Sequence, residues 1–139
     1  MIVVDTNVTS ELMRPAPDAG VRDWVLAARP ADLFTTAITL AEIRYGIERL
    51  AAGQRRDVLR DTAEEIFSAF EARVLPFDAD SAGRYAVIVD RRERSGRPIN
   101  GYDAQIASIC QVHGATLATR NTRDFEGTGV ELVDPWGSG

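Results

Sequence analysis

Five short runs of apolar, strand-favouring residues alternate along this chain with longer segments whose apolar residues recur at helical spacing. That alternation leaves few architectures open. The runs fall at 2–4, 33–36, 74–77, 116–119 and 130–133, the first of them too short and too continuously apolar for a helix. Between them, Val21, Trp24, Val25 and Ala28 make one apolar stripe, and Leu40, Ile43, Ile47 and Leu50 make another. Further helical patterns cover 7–13, 54–73, 80–94 and 102–113. Pro15 and Pro30 stop the first two helices, Gly53 precedes the longest, and Gly114 suits the left-handed closing position of the last. No repeat, low-complexity run or linker breaks the series. The pattern predicts an α/β fold: a mainly parallel sheet of four to five strands with helices on both faces. At 139 residues, 45% of them hydrophobic, the chain fits a single domain over 1–139.

In such sheets ligands bind beyond the carboxyl ends of the strands. Acidic residues mark those handovers. Asp5 ends the first run, Asn121 and Asp124 follow the fourth, and Glu42 and Asp103 enter from the first turns of helices. Each has a local explanation. Thr39-x-x-Glu42 fits a capping box, Asn100-x-x-Asp103 and Asn121-x-x-Asp124 have the same spacing, and Asp5 can cap the helix that follows it. As a set they ask for more. Asp103 lies beside the stripe of Ile106, Ala107 and Cys110, so its carboxylate points to a core edge, where an unpaired charge is costly. All 16 basic residues are arginine, and the nearby sequence offers only Arg97 as a partner. A hard divalent cation, Mg²⁺ or Mn²⁺, is the economical counter-charge for clustered carboxylates. Held there, it would serve the hydrolysis of phosphate esters. Thr6 and Asn7 can orient waters or ligands, and Thr119, Arg120 and Asn121 can position a phosphate; strand and cap roles remain open for Thr6 and Thr119.

The net charge of -5 and pI near 4.9 argue against a polyanion binder driven by bulk charge. Local patches can still act. Arg91, Arg92, Arg94 and Arg97 form the densest basic cluster and Arg55, Arg56 and Arg60 the second, each suited either to phosphate or to a solvated helix face. Trp24 and Leu12 fit either a partner surface or the core. Cys110 reads as core filler and His113 as a helix-end residue. With no apolar run near the ~20 residues of a membrane span and no basic leader region, the expected setting is the cytoplasm, without membrane contact.

Taken together, four motifs resemble, in order and spacing, those of PIN-domain ribonucleases. They are Met1-Ile2-Val3-Val4-Asp5-Thr6-Asn7-Val8, Ala41-Glu42-Ile43-Arg44-Tyr45-Gly46, Asp103-Ala104-Gln105-Ile106-Ala107 and Leu117-Ala118-Thr119-Arg120-Asn121-Thr122-Arg123-Asp124-Phe125. The match is nearest to the VapC/FitB type of toxin in bacterial type II toxin–antitoxin pairs and runs on to Val133-Asp134-Pro135-Trp136. The resemblance implies a three-layer α/β/α domain, a Mg²⁺ or Mn²⁺ site and cleavage of RNA. It also implies a homodimer, neutralisation by a small cognate antitoxin, and operator DNA reached through that antitoxin. By motif, Asp5, Glu42 and Asp103 would be the core metal acids. The family's fourth acid often falls where this chain has Asn121, so either Asn121 serves through its amide or Asp124 takes over.

Other classes compete. Asp5-Thr6-Asn7 after a strand also suits a phosphatase with an aspartate nucleophile. That site generally needs a lysine, as does a P-loop nucleotide hydrolase, and the chain has none. A non-catalytic module that binds antitoxin or nucleic acid without cleavage is the remaining alternative.

Overall fold

The computed structural model describes residues 1–137; its first two strands match the apolar runs that announce them, and the last three are shorter. β1 (Ile2–Val4), β2 (Leu33–Thr36), β3 (Val74–Leu75), β4 (Thr116–Ala118) and β5 (Leu132–Val133) form one parallel sheet in the order β3-β2-β1-β4-β5. Parallel neighbours cannot be joined by tight hairpins, so the connections must cross the faces. Six helices lie between the strands: α1 (Thr6–Leu12), α2 (Ala19–Ala27), α3 (Ala37–Glu48), α4 (Gln54–Phe70), α5 (Ala79–Arg94) and α6 (Gly101–His113).

Successive strand side chains point to opposite faces, and each face has its own core. Val3, Leu75 and Leu117, with Phe34 and Leu132, pack against Ile88 of α5 and Ile106 and Ile109 of α6. Val4, Leu33 and Ala118, with Val74 and Val133, pack against Val8 of α1, Val21 of α2 and Phe70 of α4. The result is the three-layer α/β/α arrangement that the resemblance implies. Val3, Ile106 and Leu117 are fully buried, each contributing about 1.5–3 kcal/mol. Leu12 and Trp24, both half-buried, pack against the second core. A third cluster, built on Ile43, Ile47, Ala63 and Phe67, closes α3 on α4 away from the sheet.

Most helix starts follow the expected signals. Asn100 accepts from the Asp103 N–H at 2.9 Å, and Gly114 takes φ 61° to close α6. The start of α3 differs. Thr36, not Thr39, caps it, its hydroxyl accepting from the Thr39 N–H at 3.1 Å. Both threonines suit a cap chemically, but β2 ends at Thr36 and the helix begins at once. Glu42 therefore sits in the second turn, and the capping box does not form.

The sheet also fixes where a site can lie. From β1 the chain runs outward through β2 and β3, then returns to place β4 on the other side of β1. This reversal opens a crevice past the carboxyl ends of β1 and β4, where Asp5 and Thr119 emerge.

Candidate active site

Asp5 is the first residue past β1 and is buried. Its N–H donates to the Ala118 carbonyl at 2.9 Å, so the sheet ladder itself anchors the residue. One carboxylate oxygen accepts from the Thr6 N–H at 2.8 Å; the other accepts from the Thr119 hydroxyl at 2.7 Å and the Asn7 amide at 3.4 Å. Asp5 is thus a helix cap and a cleft residue at once. Thr6 also reaches the next acid, its hydroxyl donating to Glu42 at 2.8 Å while standing 3.2 Å from the hydroxyl of buried Thr39. Asp103, in the first turn of α6, accepts from the Asn100 amide at 2.9 Å. Asp124 sits on a 3-10 turn at Thr122–Phe125 with its side chain exposed, and Asn121 precedes that turn without capping it through its side chain.

Asp5, Glu42, Asp103, Asn121 and Asp124 all line one cleft of about 540 Å³. No ion pair among the described residues involves any of these four acids. Arg97, the arginine nearest Asp103 in sequence, pairs instead with Glu126 at 3.0 Å. The cost shows in the acidities. Burial raises the Asp5 pKa above its ordinary value, against the lowering effect of Thr119 and Thr6, and the Asp124 charge adds to the rise. Glu42 is raised by burial and by Asp5, with Thr6 opposing. Asp103 is pushed up to about 6, first by burial and then by Asp5, Asp124 and Glu42. Asp5, Glu42 and Asp103 therefore each feel the charge of neighbouring acids, with no ion pair among the described residues to balance it.

The model for the PIN domain matches residues 2–130 of this chain. The chain belongs to the PIN-domain family. It is 41% identical over 137 residues to the VapC ribonuclease Y4jK of Sinorhizobium fredii (strain NBRC 101917 / NGR234), covering 98% of both chains. It is 38% identical over 137 residues to the toxin FitB of Neisseria gonorrhoeae (strain ATCC 700825 / FA 1090), covering 98% of this chain and 99% of FitB. Its fold superposes on a structure of FitAB bound to the IR36 DNA fragment with a TM-score of 0.92 at 38% identity, over 98% of this chain and 96% of that one.

In this PIN domain, no three His, Cys, Asp or Glu side chains among the described residues are already closed into a metal cage. Each of Asp5, Glu42 and Asp103 is instead held by its own neutral donor. The donor set still fits a hard divalent cation. It consists of hard oxygens, it has no arginine partner among the described residues, and its raised pKa values are what an added cation would relieve.

Several cleft residues escape the sequence reading. Trp136 lines the cleft, brought there because β5 runs beside β4. Glu11 also lines it, but its carboxylate is engaged by the Asp18 N–H at 3.0 Å and by Arg14. Its four-residue spacing from Asn7 is the signal that finds it. The basic cluster divides. Arg92 is buried and donates to the carbonyls of Arg97 at 2.6 Å and of Asp124 and Glu126, each at 2.8 Å, which makes it a brace. Arg94 pairs with Asp90 and Arg60 with Glu48 on the surface. Cys110 is core filler, its thiol pushed up to about 12 by burial.

Proposed function

We propose that this PIN domain, over residues 1–139, is a metal-dependent endoribonuclease that acts as the toxin of a type II toxin–antitoxin pair. One observation carries the chemistry: four acids from distant segments share a cleft at the sheet's switch point with no basic partner among the described residues. Asp5, Glu42 and Asp103 are the metal acids, and Asn121 and Asp124 share the fourth position. A bound Mg²⁺ or Mn²⁺ supplies positive charge opposite the phosphoryl group and a more acidic water near neutral pH.

The chain's own groups do the positioning. Thr119 and the Thr6 N–H fix the Asp5 carboxylate and oppose the effect of burial on its acidity, and the Thr6 hydroxyl holds Glu42. The reciprocal Asn100–Asp103 bonds fix the rotamer of Asp103 at the helix start. Asn121 offers a neutral amide beside them, able to orient a water or a phosphate oxygen without adding to the repulsion. Its backbone N–H donates to the same Thr119 hydroxyl that holds Asp5.

A small antitoxin neutralises the enzyme, and a groove of about 890 Å³ between α1, α3 and α4 supports a place for it. Its walls include Met13, Leu50, Val58 and Leu59, and it opens into the acidic cleft at Thr6 and Glu42. An amphipathic antitoxin segment laid in the groove would end over the carboxylates. The relatives support this reading in their own names: a VapC ribonuclease, the toxin FitB, and FitAB bound to DNA. We assign the chain likewise a homodimer and, through its antitoxin, operator DNA. The setting is the cytoplasm; no helix among the described residues is long and apolar enough to cross a membrane.

The test incubates purified protein with single-stranded and stem-loop RNAs, with Mg²⁺, Mn²⁺ or EDTA. Cleavage is expected only with metal, and Asp5→Asn and Asp103→Asn should each reduce it at least about a hundredfold, more than loss of an outer-shell partner. Cleavage that survives both substitutions would overturn the site. Metal and RNA binding without cleavage would leave the non-catalytic module.

A further inference from the structure

Arg120 and Trp136 form a feature of the cleft that metal chemistry does not use. The Arg120 guanidinium carbon lies 5.1 Å from the centre of the Trp136 ring, and both residues line the cleft beside Asp5, Asn121 and Asp124. Arg120 is exposed and makes no ion pair among the described residues, although it borders four acids. The other arginine of the cleft, Arg14, is already paired with Glu11 at 3.3 Å. Its backbone is fixed as well. The Arg120 N–H donates to the Asn7 side chain at 3.3 Å, and Asn7 in turn holds Asp5 and Thr119.

An arginine free to choose would be expected to turn to the carboxylates. Here the guanidinium carbon lies over the face of the indole ring instead. Stacking uses the face of the planar group and leaves its N–H edge free, and that edge matches a phosphate in a two-pronged bond. We propose that the Arg120–Trp136 stack is a backbone clamp, in which Arg120 receives an RNA phosphate flanking the scissile one and Trp136 sets its plane. Arg120 would be a positioning residue for substrate, and the clamp would let an acidic cleft accept a polyanion. The clamp rests on the endoribonuclease reading for its substrate, but binding tests it separately.

The experiment measures binding of a fluorescein-labelled single-stranded RNA in EDTA over a range of salt concentrations, then cleavage with Mn²⁺. Arg120→Gln is expected to weaken RNA binding about tenfold, as loss of a charge-assisted bond does. It should also reduce the salt slope by about 0.7, the value for one phosphate contact on a single strand. In cleavage the change should appear in KM, with kcat and Mn²⁺ affinity nearly unaltered. Trp136→Leu should weaken binding by a smaller factor and keep the salt slope, because the charge remains, and Trp136→Phe should restore most of the loss. An unchanged salt slope in Arg120→Gln would overturn the clamp. So would a lowered melting temperature in both variants with wild-type RNA affinity, which would make the stack a structural tie for the C-terminal segment. Wild-type protein that binds RNA with the expected slope but never cleaves it would overturn the activity and leave the clamp standing.

Discussion

The acidic cleft and the arginine brace behind it handle buried charge in opposite ways. Arg92 is a buried cation whose guanidinium finds three carbonyl oxygens, at Arg97, Asp124 and Glu126, so the chain completes that cluster itself. The cleft holds four acids, of which Asp5, Glu42 and Asp103 are held by hydroxyls, amides and N–H groups, and none of the four pairs with a cation among the described residues. Asp124 joins the two regions, its carbonyl accepting from Arg92 while its side chain faces the cleft. The difference teaches where a fold is closed and where it is left open to a ligand. A satisfied charge stabilises, and an unsatisfied one of the same sign as its neighbours awaits a counter-ion.

Breaking the closed region should have the largest effect on stability. Arg92→Met leaves three part-buried bonds to carbonyls without their donor and is expected to cost about 3 kcal/mol, lowering the melting temperature by roughly 10 °C. Calorimetry checks this, and a drop under 2 °C would show that water replaces the brace. Arg92→Lys should recover little, since an ammonium lacks the fork that spans the carbonyls.

The open region should respond in the opposite sense. Asp103 has a folded pKa of about 6, above its ordinary 3.8, so between those values the folded protein keeps a proton that the unfolded chain has released. Stability of the metal-free protein must then fall as pH rises from about 4 to 6. At full linkage this is roughly 3 kcal/mol, but Asp103 is half-exposed and screening reduces it to about 1 kcal/mol. In EDTA, Asp103→Asn should flatten that pH dependence and raise the melting temperature at pH 7.5, while abolishing Mn²⁺-supported cleavage. A melting temperature that falls at pH 7.5 would mean that the Asn100–Asp103 bonds outweigh the repulsion.

The smallest effect sharpens the fourth position. Asn121→Asp adds an exposed acid to the cleft and should lower metal-free stability by no more than about 0.5 kcal/mol. Mn²⁺ affinity, read by titration, should rise if position 121 faces the metal. An unchanged affinity would assign the fourth place to Asp124.

Particular residues show what could be read in advance. Asp5 was legible because a three-residue buried strand leaves no doubt where its carboxyl end lies. Asp103 was legible because the helical wheel turns it toward the core edge, and Asn100 and Gly114 bracket the helix. Glu42 was misplaced by one turn, since Thr36 and Thr39 have equal capping chemistry and only the end of β2 chooses between them. Arg92 looked like any member of a charged run; its burial depends on the 121–126 segment folding back over α5, thirty residues later in sequence. Trp136 carried no periodic signal at all.

The sequence by itself determined the alternation of strands and helices, the two-faced strands and the acids at their ends. These are local properties, set by side-chain period, capping chemistry and the absence of lysine. The tertiary structure alone decided which acids meet, which arginine is buried and which stays free. Those outcomes depend on strand order: β4 lies beside β1, so Thr119 reaches Asp5, and β5 beside β4, so Trp136 reaches Arg120. Such pairings, one of them spanning 114 residues, are fixed by packing of the whole sheet, and no local pattern encodes them.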